Sequence, residues 1–250
     1  MYRKTKEKNV SVFNSDVTKI GNYLYTDVSK YSAKVATKRQ SQEIINLLRR
    51  CFPKNLRILD VGCGDGIFTL ELLKHVHPRK IVGFDVAEKA VERAKKRISK
   101  KEMRNISFRR CDIYDVKRRF SKSTFDVGVI RGVLHHVYQP QVAIKQLNFL
   151  PAIIVLEPNG YNPILKVIEK VSPYHKAHEE RSYFPPTLNS WFARNGYYVA
   201  SQRFVGIVPY FFPTRAAKVL QFLEPFFESL PFIKLLYTGT NVILYKKGLT

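Results

Sequence analysis

An acid followed by three glycines at alternate positions sets the chemistry open to this chain. The run Ile58-Leu59-Asp60-Val61-Gly62-Cys63-Gly64-Asp65-Gly66 carries an apolar, β-branched segment into Asp60 and then breaks. Glycine lets the backbone turn sharply there and lets a ligand lie against it without meeting a Cβ. An apolar-periodic segment over 67–76 follows at once, so the pattern is a buried strand, a tight loop and a helix. A glycine-rich loop alone marks nucleotide sites of several kinds. Here the next strand, Ile81-Val82-Gly83-Phe84-Asp85, ends on a second acid. In an open parallel sheet an acid at that end can accept both hydroxyls of a ribose.

The spacing is Gly-x-Gly-x-Gly rather than the Gly-x-Gly-x-x-Gly of dinucleotide folds, and Asp60 precedes it. An acid there would repel a pyrophosphate, but it suits a ligand carrying an ammonium and a sulfonium, which describes S-adenosyl-L-methionine. On these residues the chain resembles the class I S-adenosylmethionine-dependent methyltransferases over about 44–159. The resemblance makes 60–66 the loop that cradles the methionine part of the cofactor, and Asp85 the acid that holds the ribose. Cys111-Asp112-Ile113, after a strand over 106–109, is similar to the motif whose acid meets the adenine amino group. Phe125 to Ile130 and then Arg131-Gly132-Val133-Leu134-His135-His136 resemble the fourth strand and its loop. The cofactor contacts so implied are Asp60, Gly62, Cys63, Gly64, Asp85, Val86, Asp112, Ile113 and Arg131. Cys63 also reads as a small residue that fills the loop. Arg131 departs from relatives, which usually carry a small or uncharged residue there, and it bears on the charge of the substrate.

Methyl transfer is expected where the fourth and fifth strands end. The fifth strand, over 152–156, is followed by Glu157-Pro158-Asn159-Gly160-Tyr161-Asn162-Pro163. Proline cannot continue a central strand, so Glu157 is expected at the mouth of the site, in contact with substrate or capping nearby amides. Glu-Pro-Asn at this point resembles methyltransferases of small molecules, including glycans, lipids and polyketides. His135 and His136 lie across from it, and histidine suits a general base because its pKa lies near working pH. Catalytic candidates are therefore His135, His136 and Glu157, although alignment alone can drive transfer without a base. His175, His178, Glu179 and Glu180 have a metal-like spacing, but a solvated segment accounts for them and no metal is expected.

The elements that must position these residues read as one α/β domain. At 250 residues and 45% hydrophobic content the chain can bury a sizeable core. The expected fold is a doubly wound, mostly parallel, seven-stranded Rossmann-like sheet with helices on both faces and a helical, aromatic insertion before the last strand. Within the single domain 1–250, residues 1–53 form a helical lead-in, 54–157 the cofactor core and 158–250 the substrate side. Tyr23, Tyr25 and Tyr31 in the lead-in would pack over the cofactor or simply onto the sheet. Beyond 157 we expect helices over 164–171 and 187–195, a strand over 197–204 and a short last strand over 242–245. Proline 225 should interrupt the apolar helical pattern of 216–231.

Charge bounds the partners. Lys and Arg number 43 against 20 acids, a net charge of +23 and a pI near 10.0, which favours anionic partners. Eleven basic residues and three acids fall between Lys95 and Arg119, a segment that the resemblance places on an outer sheet edge. Cysteines 51, 63 and 111 are scattered, no apolar run reaches the roughly 18 residues of a membrane span, and no secretory signal opens the chain. A cytoplasmic enzyme is the expectation, peripheral on the inner membrane face if the aromatic run 204–213 and the apolar positions of 216–237 meet lipid with Arg215, Lys218 and Lys234. The same surface could instead be a buried cover. The expected acceptor is a small molecule, lipid or lipid-linked glycan, methylated on O or N. A nucleic-acid enzyme would use the charge, but no Asn-Pro-Pro-Tyr or Asp-Pro-Pro-Tyr motif is present to hold a flipped base. A non-catalytic cofactor-binding protein is the remaining alternative.

Overall fold

The computed structural model describes residues 10–11, 14–15, 30–172, 176 and 180–248. Strands buried on both faces have no polar side to alternate with, so they read as continuous apolar runs. Five run parallel: β1 (Arg57–Val61), β2 (Lys80–Asp85), β3 (Ile106–Arg110), β4 (Val127–Arg131) and β5 (Ala152–Pro158). With β6 (Tyr197–Val205) and β7 (Thr240–Lys247) they form one sheet in the order β3-β2-β1-β4-β5-β7-β6. Strand β7 is antiparallel to both of its neighbours.

The helices in chain order are α1 (Tyr31–Cys51), α2 (Ile67–Val76), α3 (Glu88–Arg97), α4 (Val116–Phe120) and α5 (Pro140–Gln146). They are followed by α6 (Pro163–Val171), α7 (Pro185–Ala193), α8 (Thr214–Ser229) and α9 (Lys234–Tyr237). Helices α5, α6 and α7 each open on proline, whose fixed φ suits the first turn and whose missing N–H is not needed there. Strand alternation feeds two cores. Ile58, Ile81 and Ile154 pack with Ile44, Leu48, Leu72 and Val91 of α1, α2 and α3. Leu59, Val82 and Ile153 pack with Phe120, Ile144 and Phe192 of α4, α5 and α7.

Strand order reverses between β1 and β4, which pair directly. The usual ligand position in such sheets is a crevice outside the carboxyl ends of the strands at this reversal. The glycine loop follows β1 and the His135 loop follows β4, so the fold brings both to one place. The basic segment 95–119 contains β3, the outer strand of the sheet, as the family resemblance implied.

Three expectations need correction. Strand β5 continues through Glu157 to Pro158, because Pro158 is its last residue and faces Thr240 of β7, where a missing donor is tolerated. The last strand is twice the expected length and lies inside the sheet between β5 and β6. Pro225 does not interrupt its helix: α8 runs through it, with Pro225 on the exposed side, where the carbonyl one turn earlier can turn to water.

Helix α8 is fastened to α1. The Arg39 guanidinium donates from Nε and Nη2 to the two oxygens of Glu228 at 3.1 and 2.5 Å, and from Nη1 to Glu43 at 3.1 Å. Glu228 also accepts the Gly206 amide at 2.7 Å and Glu224 the Ile207 amide at 3.0 Å, closing the turn after β6. In Arg39→Met, Glu228 keeps its partly buried position without its cation. We expect a loss of about 2 kcal/mol and a melting temperature lower by about 4–8 °C. Unchanged thermal denaturation would show that solvent screens the pair.

Candidate functional site

The glycine loop is held by the strand beside it. Amides of Gly62 and Cys63 both donate to the Phe84 carbonyl, at 2.8 and 2.9 Å. Asp85 then takes the Gly64 amide on Oδ2 at 2.9 Å and the Ala87 amide on Oδ1 at 2.8 Å. Gly62 has a φ of +71°, and a Cβ there would come within 2.5 Å of Val133 Cγ2. Gly66 has a φ of +81°, with Ala94 Cβ and Phe108 Cζ both 2.8 Å from where its Cβ would be. Any other residue would force the loop away from the β4 loop or from α3.

The other implied cofactor contacts converge from the neighbouring strand ends. Val86 follows Asp85 half-buried, with its amide on the Asp85 carboxylate. Asp112 accepts the Tyr114 amide at 3.1 Å and caps the turn 113–115, and Ile113 is buried beneath it. Cys63 is a packing unit, its buried thiol pushed well above the ordinary range first by desolvation and then by Asp85 and Asp60. Tyr31 does not cover the loop: its hydroxyl donates to Gln221 of α8 at 2.6 Å, while Tyr23 and Tyr25 lie outside the described residues.

Charges at the crevice are arranged in opposite pairs. Asp60 is 2% exposed and accepts the Thr69 hydroxyl at 2.6 Å. Burial pushes its pKa up to about 6, against the Thr69 hydrogen bond and the Arg131 charge, with Asp85 adding a smaller upward push. Arg131 lies 4.7 Å from the Phe68 ring centre and reaches the Thr37 carbonyl at 3.5 Å, while its buried Nε has no hydrogen-bond partner. An acid that lacks solvent and a guanidinium N–H that lacks an acceptor fit the two ends of an α-amino acid. These residues therefore suit the methionine part of S-adenosyl-L-methionine, the ammonium toward Asp60 and the carboxylate toward Arg131. Tyr210 was not visible as a site residue. Its buried hydroxyl donates to Gln40 at 2.8 Å beside Arg131, joining the turn after β6 to α1 over the crevice. Positions 40, 131 and 210 share no spacing that sequence alone could have linked.

Across the crevice, Glu157 is 1% exposed and does not reach the mouth of the site. Its Oε1 accepts the amides of Val133 and Leu134 at 3.0 and 2.8 Å. Its Oε2 accepts the His135 amide at 3.1 Å and faces His135 Nδ1 at 2.7 Å. Of the two roles open to it, the amide-capping one is the one its contacts fill, so Glu157 is a positioning residue. For His135, burial lowers the pKa, but the charge and hydrogen bond of Glu157, with Glu180 and Glu169 farther off, outweigh it and raise the net value. The His136 ring lies 3.9 Å from that of His135, and its Nε2 is 3.9 Å from Glu180. His175, His178 and Glu179 lie outside the described residues. Glu180 instead joins the two loop histidines, one donor atom from each of the three lying within 4.8 Å of the others.

Comparison with known proteins agrees with this geometry. Residues 53–193 match the family model described as a methyltransferase domain, more than half of the chain. The chain belongs to that family: it is a class I S-adenosylmethionine-dependent methyltransferase. An uncharacterized methyltransferase of Schizosaccharomyces pombe is 30% identical over 145 residues, 56% of this chain and 50% of its own length. The demethylmenaquinone methyltransferase of Lactococcus lactis is 27% identical over 75% of this chain and 74% of its own. The malonyl-[acyl-carrier protein] O-methyltransferase of Halalkalibacterium halodurans is 31% identical over 55% of this chain and 48% of its own. The chain thus spans about half the length of two of these relatives. Among solved structures, magnesium protoporphyrin IX methyltransferase from Synechocystis with bound cofactor superposes at a TM-score of 0.64 and 13% identity. That match covers 96% of this chain and 97% of the other, and at such identity it speaks for the fold.

With Asp60 toward the ammonium, its raised pKa leads us to expect a pH-dependent cofactor affinity. Its protonated form is favoured in the fold, so this group's contribution to stability is complete below the ordinary value of 3.8 and is lost as pH rises through about 6. A cationic ligand needs the ionised form, so binding has the opposite slope. We expect affinity for S-adenosyl-L-methionine to be flat above pH ~7 and to fall toward about tenfold per unit below pH ~6. Asp60→Asn should bind weakly with no such slope. Calorimetric titrations at several pH values measure both, and a wild-type affinity constant from pH ~5 to pH ~8 would contradict this role for Asp60.

Proposed function

We propose that this protein methylates a hydroxyl or amine of a small-molecule, lipid or lipid-linked acceptor, with His135 as general base. The observation that carries the reading is the 2.7 Å contact between His135 Nδ1 and a Glu157 carboxylate already fixed by three backbone amides. A carboxylate only accepts, so Nδ1 carries the hydrogen and Nε2 is left as the basic nitrogen. The proton of the acceptor O–H or N–H passes to Nε2 as its heteroatom takes the methyl group. Glu157 stays in place and balances the imidazolium that forms. S-Adenosyl-L-methionine, when bound, supplies an electrophilic methyl on a sulfonium. This chain contributes the alignment of acceptor and donor across the crevice, which lowers the barrier by itself. Two curated relatives are named for demethylmenaquinone and for malonyl-[acyl-carrier protein], which supports a small or carrier-borne acceptor over a polynucleotide.

His135, His136 and Glu180 favour a second reading, in which they share a divalent cation that activates the acceptor. Chelation separates the two. With labelled cofactor and fractionated lipid, small-molecule and RNA pools, we expect label in the lipid or small-molecule pool and no loss of turnover in EDTA. His135→Ala should keep cofactor affinity and lose roughly 10²–10⁴ in turnover, His136→Ala much less. Loss of activity in EDTA restored by added metal would replace the base with the cation. Label confined to RNA would overturn the acceptor class, and full turnover in His135→Ala would remove the base.

A further inference from the structure

Eleven large hydrophobic side chains among the described residues beyond Gly160 are more than half exposed, and nine of them belong to one surface. Helix α6 turns Ile164, Val167 and Val171 outward at 63, 58 and 64% exposure, one helical face. Helix α8 does the same with Val219, Phe222 and Phe226 at 58, 84 and 60%. Between them the turn into α9 presents Phe232, Ile233 and Leu236 at 82, 58 and 55%. Helix α9 packs against both α6 and α8, and Phe227 of α8 meets the Tyr237 ring at 5.5 Å, so the three faces are continuous. Phe211 is exposed nearby, while Phe212 turns inward onto Val35, Val208 and Ala217.

The charges around this surface are sorted. Helices α6, α8 and α9 contain three acids, and each is tied inward: Glu169 accepts the Ser182 amide, Glu224 the Ile207 amide and Glu228 the Gly206 amide with Arg39. The exposed charged side chains of these helices are basic, Lys170, Arg215 and Lys218. The surface is also anchored at the crevice. Asn159, one residue beyond β5, donates to the carbonyls of Leu235 and Thr238 at 2.8 and 3.0 Å. Asn162 donates to Thr238 at 3.1 Å and caps α6. The Pro158-to-Pro163 segment thus works as a hook that holds α6 and α9 beside the end of β5.

We propose that the α6–α8–α9 face docks on an anionic lipid bilayer and holds the mouth of the crevice at the headgroup layer. No helix among the described residues is long and apolar enough to cross a membrane, so the contact lies in the interface plane. A soluble monomer rarely leaves so large an apolar patch bare. The choice of bilayer over a protein partner rests on charge: the acids are withdrawn, the basic side chains rim the patch, and the chain carries +23 overall. Docking of this kind would bring a lipid acceptor to the site without removing it from the membrane. It does not depend on which acceptor is methylated.

The full chain should be sedimented with vesicles of phosphatidylcholine, alone or mixed with phosphatidylglycerol, at low and high salt. We expect binding only to the anionic vesicles, weakened by salt. The double variant Phe222→Ser, Phe232→Ser should bind about tenfold or more weakly while keeping cofactor affinity and melting temperature. Lys170→Glu with Arg215→Glu should abolish the preference for anionic lipid. Three results would overturn the proposal: no binding to anionic vesicles at low salt, equal binding by the serine variant, or self-association of the wild type that the serine variant loses, which would put a second copy on this face. Failure of the proposed chemistry would appear in turnover and leave vesicle binding unchanged.

Discussion

Backbone amides just beyond the ends of parallel strands have lost their ladder partners, and near a buried crevice water cannot replace them. In this protein carboxylates from adjacent strands take that place. Asp85 at the end of β2 accepts the Gly64 amide of the loop after β1. Glu157 near the end of β5 accepts three successive amides of the loop after β4. Each acid fixes the loop of a neighbouring strand, so both walls of the crevice are held by charge-assisted hydrogen bonds, each worth roughly 1.5–3 kcal/mol. The loops touch each other as well, since Gly62 leaves no room between its Cα and Val133.

That arrangement assigns chemistry to the two walls. On the β1 side the backbone is bare and the acids are Asp60 and Asp85; with the unsatisfied Nε of Arg131 at the end of β4 they form the complement of a zwitterionic, cationic ligand. On the β4 side the same kind of capping orients an imidazole rather than a ligand. Glu157 directs its lone pairs to the loop amides and to His135 Nδ1, the contact on which the proposed base role of Nε2 rests. Beyond β5 the chain switches from charge to amide hooks, Asn159 and Asn162, which set the apolar helices beside the acceptor side.

Much of this was legible because the core strands are short, apolar and punctuated. Asp60 stands one residue before the end of β1 and Asp85 at the end of β2, and the Gly-x-Gly-x-Gly run between them marked the loop. What was not legible has physical reasons. Pro158 argued for an early end to β5, yet a strand can close on a proline where no donor is required, and that one residue carried Glu157 inside. The ends of β7, Thr240-Asn241 and Lys246-Lys247, are polar, so only its apolar centre was visible as a strand. Pro225 lies on the exposed side of α8, where water relieves the free carbonyl. The joints between Arg39 and Glu228 and between Gln40 and Tyr210 connect positions far apart in the chain, and nothing in their spacing announces them. Which of two adjacent histidines faces the acid was likewise decided by the turn of the β4 loop.

The central claim is that Asp85 both fixes the glycine loop and holds the cofactor it cradles. Calorimetric titration of the wild type and of Asp85→Ala with S-adenosyl-L-methionine and its demethylated product tests it most directly. The account predicts micromolar binding to the wild type, on the order of −8 kcal/mol, and at least a ~10-fold loss in the variant. No heat with either ligand, or full affinity in Asp85→Ala, would contradict it.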